Sequence, residues 1–163
     1  MILEIKKYPV SVLKTRAKEI GEIGQDIKEL AQNMVETMIE KNGVGLAANQ
    51  VGVLKRIIVV QTEEGPQVFV NPEIIKKSRE REKDQEGCLS LPESLYLDIK
   101  RSREVQVQAL KLDGGKVKIK AKDLQARIFQ HEIDHINGIL IIDRVGFWQK
   151  FKIRKQLKGH GVN

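Results

Sequence analysis

Lys122-Asp-Leu-Gln-Ala-Arg-Ile-Phe-Gln-His-Glu-Ile-Asp-His-Ile-Asn-Gly138 is the stretch on which the fold turns. Its apolar residues do not alternate as a strand's would. Leu124, Ile128, His131 and His135 recur at spacings of four, three and four, which is one face of an α-helix. A helix is predicted over Lys122–Asn137, stopped by Gly138, with Asp123 or the residue before it as N-cap. The two histidines continue the apolar face and are expected to point inward. An unpaired polar group there costs a few kcal/mol, so both need a partner. One metal ion would serve both, because rings at i and i+4 lie one turn apart on the same face. Glu132, in the HExxH pattern, sits about 100° round the helix from His131, close enough to act on a water held by that metal. A solvated helix surface is the plainer alternative.

Outward from this helix the chain alternates strands with few helices. Gln25–Lys41 carries Ile27, Leu30, Met34 and Met38 on one side and ends in Asn42-Gly43, a natural helix stop. Lys55–Gln61 and Gln67–Val70 read as strands joined by a Glu-Glu-Gly-Pro turn. The polar stretch Glu73–Glu86 holds at most a strand and a loop, and Ser94–Lys111 contains two further strand patterns. Asp113-Gly114-Gly115 turns the chain into Lys116–Lys120, a hairpin. A last helix is predicted over Phe147–Leu157. The sum is α+β: mainly antiparallel strands packed around a central helix bearing HExxH, with a C-terminal helix.

The 163 residues suit one catalytic domain, 1–163, within which 144–163 forms a basic C-terminal helix and tail. The N-terminus is broken by Glu4, Lys6 and Lys7 before any apolar core of a signal peptide develops. Apolar runs such as Ile57–Val60 are too short to cross a bilayer, so the expectation is a cytoplasmic protein with no membrane partner. The net charge of +7 is concentrated at one end: Arg144, Lys150, Lys152, Arg154, Lys155 and Lys158 follow Asp143 with no acidic side chain among them. That asymmetry points to an anionic contact for the tail, not to DNA binding by the body.

A catalytic tetrahedral site takes three protein ligands and leaves a position for water. His160 lies at the extreme of the tail and is a poor third ligand. Cys88, the one cysteine, is better placed in Glu86-Gly-Cys-Leu-Ser90, where Gly87 lets the backbone bend. A thiolate is also the strongest available donor for a divalent transition metal. The alternative for a lone cysteine is a small buried apolar residue.

Three separated segments now resemble the peptide deformylases: Gly43-Val-Gly-Leu-Ala-Ala-Asn-Gln50, Glu86-Gly-Cys-Leu-Ser90 and Gln130-His-Glu-Ile-Asp-His-Ile-Asn-Gly138. They occur in the family's order, and Tyr8-Pro9 with Leu13 extends the likeness over nearly the whole chain. Asn42 stands where the family commonly has an acidic residue, Ile136 replaces a usual Leu, and Glu93–Arg103 does not fit the pattern cleanly.

The resemblance implies removal of the formyl group from the N-terminal formyl-methionine of nascent polypeptides. It implies Cys88, His131 and His135 as metal ligands, with ferrous iron the family's usual ion and zinc, nickel or cobalt able to replace it. Glu132 becomes the general base. The Gln50 side chain and the Leu89 backbone N–H become donors to the oxyanion. Gly45, with Gly43, would let a substrate backbone approach and pair as an added strand. Val44, Leu124 and Ile128 are candidates for the methionine slot, with ordinary core as the other reading. Glu86 and Asp134 are the candidate partners of the imidazoles. The basic C-terminal helix, with Phe147, Trp148 and Phe151 interleaved, resembles a contact to the ribosome near its exit tunnel; the alternative has those aromatics packed on the body. A metallopeptidase or a non-catalytic binding protein are the competing functions. Cys88 argues against the first, and Glu132 with Gln50 against the second.

Overall fold

The computed structural model describes residues 1–160, with His160 described by its backbone alone. The expectations for residues 161–163 and for the His160 imidazole lie outside the described residues. Three α-helices, α1 (Gln25–Glu40), α2 (Asp123–Ile136) and α3 (Phe147–His160), accompany seven strands. These are β1 (Gly45–Ala47), β2 (Ile57–Thr62), β3 (Gly65–Lys77), β4 (Arg81–Glu86), β5 (Leu97–Ser102), β6 (Glu104–Leu110) and β7 (Lys116–Lys122). One sheet runs β1-β2-β3-β6-β7 and a separate ribbon pairs β4 with β5, with every strand pair antiparallel. Among the described residues no helix is long and apolar enough to cross a membrane.

The unalternated run Ile57–Val60 is explained by its position. Ile58 and Val60 face α2, packing with Phe69, Val107, Phe129 and Ile133, while Ile57 and Val59 face α1 with Met34 and Met38. A strand covered on both faces reads as continuous apolar sequence. Phe129 stacks at a tilt on Phe69, ring centroids 5.1 Å apart. Complete burial of one such side chain contributes roughly 1.5–3 kcal/mol. A third cluster, from Leu13, Leu91, Leu97, Ile99, Leu140 and Ile153, packs β5 and α3 against the segment that follows α2.

Several local expectations need correction. Of the two N-cap candidates the residue before Asp123, Lys122, takes the position, without a side-chain cap; Asp123 enters the helix at φ 53°, and its carboxylate accepts from Arg103 Nε at 3.0 Å. At the end of α1 the left-handed residue is Asn42 (φ 53°), while Gly43 N–H donates to Met38 O at 2.9 Å. Leu124 does not continue an inward face: it is 65% exposed, one turn before the buried Ile128. β3 extends well past Val70, through Asn71 (φ 49°) and Pro72, with shifts in its register against β6. The aromatics of α3 do not pack on the body. Phe147, Trp148 and Phe151 are exposed, and among the described side chains of that helix only Ile153 is buried.

Candidate metal centre

The site lies where α2 passes beneath the edge strand β1 and the loop that follows β4. Cys88 Sγ is 3.3 Å from His135 Nε2, and the two imidazole Nε2 atoms are 3.1 Å apart. All three donor atoms fall within 4.8 Å of one another. A tetrahedral ion with nitrogen at about 2.0–2.1 Å and sulfur at about 2.3 Å would set its donors roughly 3.3–3.7 Å apart. The residues therefore fit a small transition-metal ion with little movement, and two imidazoles with one thiolate is a donor set such ions prefer.

The surroundings orient these donors. Glu86 Oε1 lies 2.8 Å from His131 Nδ1, which assigns the proton to Nδ1 and leaves Nε2 facing Cys88 and His135. Glu86 also accepts from Arg101 Nε and Nη2, each at 2.9 Å, and from Arg127 Nη1 at 2.7 Å. Burial acts to raise its pKa, but the His131 and Arg101 contacts outweigh it and hold the carboxyl well below the usual carboxylate range. Burial likewise opposes charge on His131, yet Cys88 and Glu86 raise its pKa, so the pocket favours positive charge at that point. Burial lowers the pKa of His135, keeping a lone pair available.

Glu132 projects between the ligands and β1. Burial pushes its carboxyl up to about 7, and its Oε2 has no hydrogen-bond partner among the described residues. A carboxyl at that value is matched to proton transfer near neutrality. Gly45 faces it directly: a Cβ at position 45 would stand 2.3 Å from Glu132 Oε1. Gly45 thus makes room for the carboxylate, in addition to the substrate approach expected of it.

Gln50 is buried and held in place by Ala47 N–H, which donates to its Oε1 at 3.0 Å. Its Nε2 donates to Ser90 Oγ at 3.2 Å and lies 3.7 Å from Cys88 Sγ. The N-terminal segment straps both loops. Lys6 N–H donates to Gln50 O (2.7 Å), Tyr8 N–H to Ser90 O (2.9 Å) and Lys7 Nζ to Leu89 O (2.6 Å). Val44 and Leu124 are exposed; Gln61 N–H donates to Val44 O, and its carbonyl accepts from Nε2 of Gln125, the residue after Leu124. Ile128 belongs to the core beneath them.

Of the two candidate imidazole partners, only Glu86 touches a histidine. Asp134 instead accepts from Arg101 Nη1 (2.5 Å) and Arg144 (2.6 and 3.0 Å), so it braces Glu86 through a shared arginine. Arg101 and Arg127 were missed from sequence. A signal existed: Arg101 has the same strand parity as the buried Leu97 and Ile99, and Arg127 stands one turn before His131.

The description "Polypeptide deformylase" belongs to the family model that matches residues 2–151. The chain is similar to the peptide deformylase of Dictyoglomus thermophilum, 51% identical over 88% of this chain and 93% of that one. It is 48% identical to that of Thermodesulfovibrio yellowstonii over 94% and 99% of the two chains. Among solved structures it resembles the Ehrlichia chaffeensis peptide deformylase, at 35% identity and a TM-score of 0.91 over 98% of this chain and 97% of that one. A second structure of the Ehrlichia enzyme, in complex with actinonin, gives a TM-score of 0.90 at 37% identity over 99% of each chain.

Proposed function

The chain belongs to the polypeptide deformylase family, and from that membership we propose the part each residue of the site takes. It is a metal-dependent hydrolase of protein biosynthesis that removes the N-formyl group from the N-terminal formyl-methionine of nascent polypeptides and releases formate. Residues 1–163 act as one catalytic domain. Cys88, His131 and His135 hold the ion, for which ferrous iron is our choice over zinc, nickel or cobalt. When bound, the ion polarises the formyl carbonyl and lowers the pKa of water.

Glu132 takes the proton from the attacking water and returns it to the leaving amine. Gln50 Nε2 and the Leu89 backbone N–H donate to the negative charge that develops on the formyl oxygen. One such donor is worth about 3–4 kcal/mol of barrier. Val44 and Gly45 offer the free edge of β1 to an extended peptide, and Val44, Leu124 and the upper edge of Ile128 flank its methionine. In support, Val44 and Leu124 are large apolar side chains left exposed beside the ligands.

Two further parts of the reading concern place. The enzyme works in the cytoplasm, and α3 meets the ribosome near the exit tunnel. Support for that contact comes from exposed Phe147, Trp148 and Phe151 set among Lys152, Arg154, Lys155 and Lys158. Arg144 and Lys150 are already committed to Asp134 and Asp143.

The observation that carries the chemistry is a buried Glu132 beside three converging ligand atoms. With protein purified without oxygen and loaded with iron, formyl-Met peptides are expected to yield formate. Glu132→Ala should keep its metal and lose roughly 10²–10⁴-fold in rate, while Cys88→Ala should lose metal. Undiminished turnover by the first variant, or full metal content in the second, would overturn these assignments.

A further inference from the structure

Beside the β4–β5 ribbon lies a cavity of about 370 Å³ whose charged lining is cationic but for one carboxylate. Lys77 and Arg79 reach it from the end of β3, Arg81 from β4, Arg101 from β5 and Arg144 from beyond α2, and its one carboxylate is Asp134. A second cavity of about 320 Å³ shares Ile74, Lys77, Asp134 and Arg144 with it and adds Arg16 and Arg56 with Glu19 and Glu73, two charges of each sign, so the cationic groove is the first.

Asp134 does not neutralise this groove. Its two oxygens are taken by Arg101 and Arg144, and Glu86 behind it is taken by Arg101, Arg127 and His131. Three guanidiniums facing two carboxylates leave net positive charge at the floor. At the rim, Lys77, Arg79 and Arg81 make no salt bridge among the described residues; Arg81 spends Nη2 on Lys100 O at 3.1 Å, and the nearby Glu80 is engaged by Arg103 Nη1 at 2.9 Å. Arg144 spends Nε and Nη2 on Asp134, which leaves Nη1 for another acceptor.

Charges on an edge strand discourage sheet-to-sheet pairing, and that role would account for Arg81 alone. It does not account for cations brought from four elements to one concavity. Like charges gathered this way repel one another and are offset by an anionic occupant. Guanidiniums in forked geometry, joined by a lysine, suit the oxygens of phosphate better than a monovalent carboxylate.

We propose that this groove is a phosphate-binding site, separate from the catalytic centre, that takes either a free phosphate-bearing ion or the phosphate backbone of RNA. Phosphate oxygens are held by Arg79, Arg81 and the free Nη1 of Arg144, with Lys77 closing the rim. The site does not depend on the catalytic roles assigned above, and its occupancy can be read while the metal centre is intact.

The test is a titration of zinc-loaded enzyme with inorganic phosphate, followed through backbone amide shifts, with acetate as the monovalent control. A short RNA hairpin forms the second arm. Saturable shifts are expected at residues 77–81 and 144 with phosphate, with the RNA, or with both, and not with acetate. The arm that responds identifies the source. Arg79→Ala/Arg81→Ala, both exposed positions, should weaken binding at least tenfold and leave formate release from a short peptide unchanged. Lys152→Ala/Lys155→Ala removes the same charge from α3 and should leave binding at the groove intact. Absence of saturation in both arms overturns the proposal. So does equal weakening by the two double variants, which would reduce the effect to net charge.

Discussion

Gly45 shows how closely one backbone position governs the chemistry. Its missing side chain is what allows the Glu132 carboxylate to lie where it does, since a Cβ there would come within 2.3 Å of Oε1 and 2.8 Å of Cγ. Gly45→Ala should therefore displace Glu132, the proposed general base, without emptying the metal site. A shift of about 1 Å in a catalytic group costs on the order of 100-fold. The expected outcome is a fall of that size in kcat with metal content unchanged, checked by formate release against metal analysis. A variant that turns over at the parent rate would show that Glu132 has room the geometry denies it. The residue Glu86 makes a related point: one buried carboxylate gathers three partners, Arg101, Arg127 and His131, and only His131 is among the residues proposed to hold the ion.

At the scale of elements, α2 must stop abruptly to deliver both histidines, and Gly138 stops it. Its φ is 76°, and a Cβ would lie 2.6 Å from Lys14 O, in the segment whose Ala17 N–H donates to Ile136 O. Left-handed backbone costs a non-glycine residue roughly 1–2 kcal/mol before any clash. Gly138→Ala should lower the unfolding free energy by about 2 kcal/mol or more, measured by urea denaturation. Gly146→Ala, with open space around it, should change it little. Much of this element's character was legible, because a period of 3.6 and a glycine stop are local signals. The HExxH pair, Cys88 and Gln50 were legible as residue types in order. What was not legible depends on distant partners. β4 reads Arg-Glu-Lys-Asp-Gln-Glu and has no apolar alternation, because only its last residue turns inward. The course of β3 past Val70 is hidden by Asn71 and Pro72, which look like a stop and act as an irregularity. Exposed aromatics on α3 contradict the usual fate of such side chains, and no local pattern announces that.

Across the whole molecule, Asp143 ties the two ends of the chain together. It accepts from Lys14 near the start, from Lys150 Nζ on α3 at 2.6 Å, and from Leu140 N–H at 2.9 Å. Burial alone would raise its pKa, but these donors outweigh it and bring the carboxyl down to about 2. A carboxyl whose folded pKa lies below its unfolded value of about 3.9 stabilises the fold above that value. The contribution fades as pH falls towards 2. After allowance for solvent screening it amounts to about 1–2 kcal/mol. Urea unfolding of Asp143→Asn beside the parent should show a steady gap above pH 5 that narrows on acidification; a gap that widens instead would reverse the assignment. The strap formed by Lys6, Lys7 and Tyr8 has a different consequence. It fixes the Gln50 loop and the Leu89 loop together, reaching 82 residues along the chain in one contact, yet none of residues 1–10 is buried. Leu3, Ile5 and Tyr8 pack on the core only in part, and a segment held by such partial burial opens before the core does. Warming should then release both loops while α2, the sheet and the ligands are still in place. Activity is expected to fade reversibly several degrees below the melting transition, with the enzyme switched off by heat before it is unfolded by it.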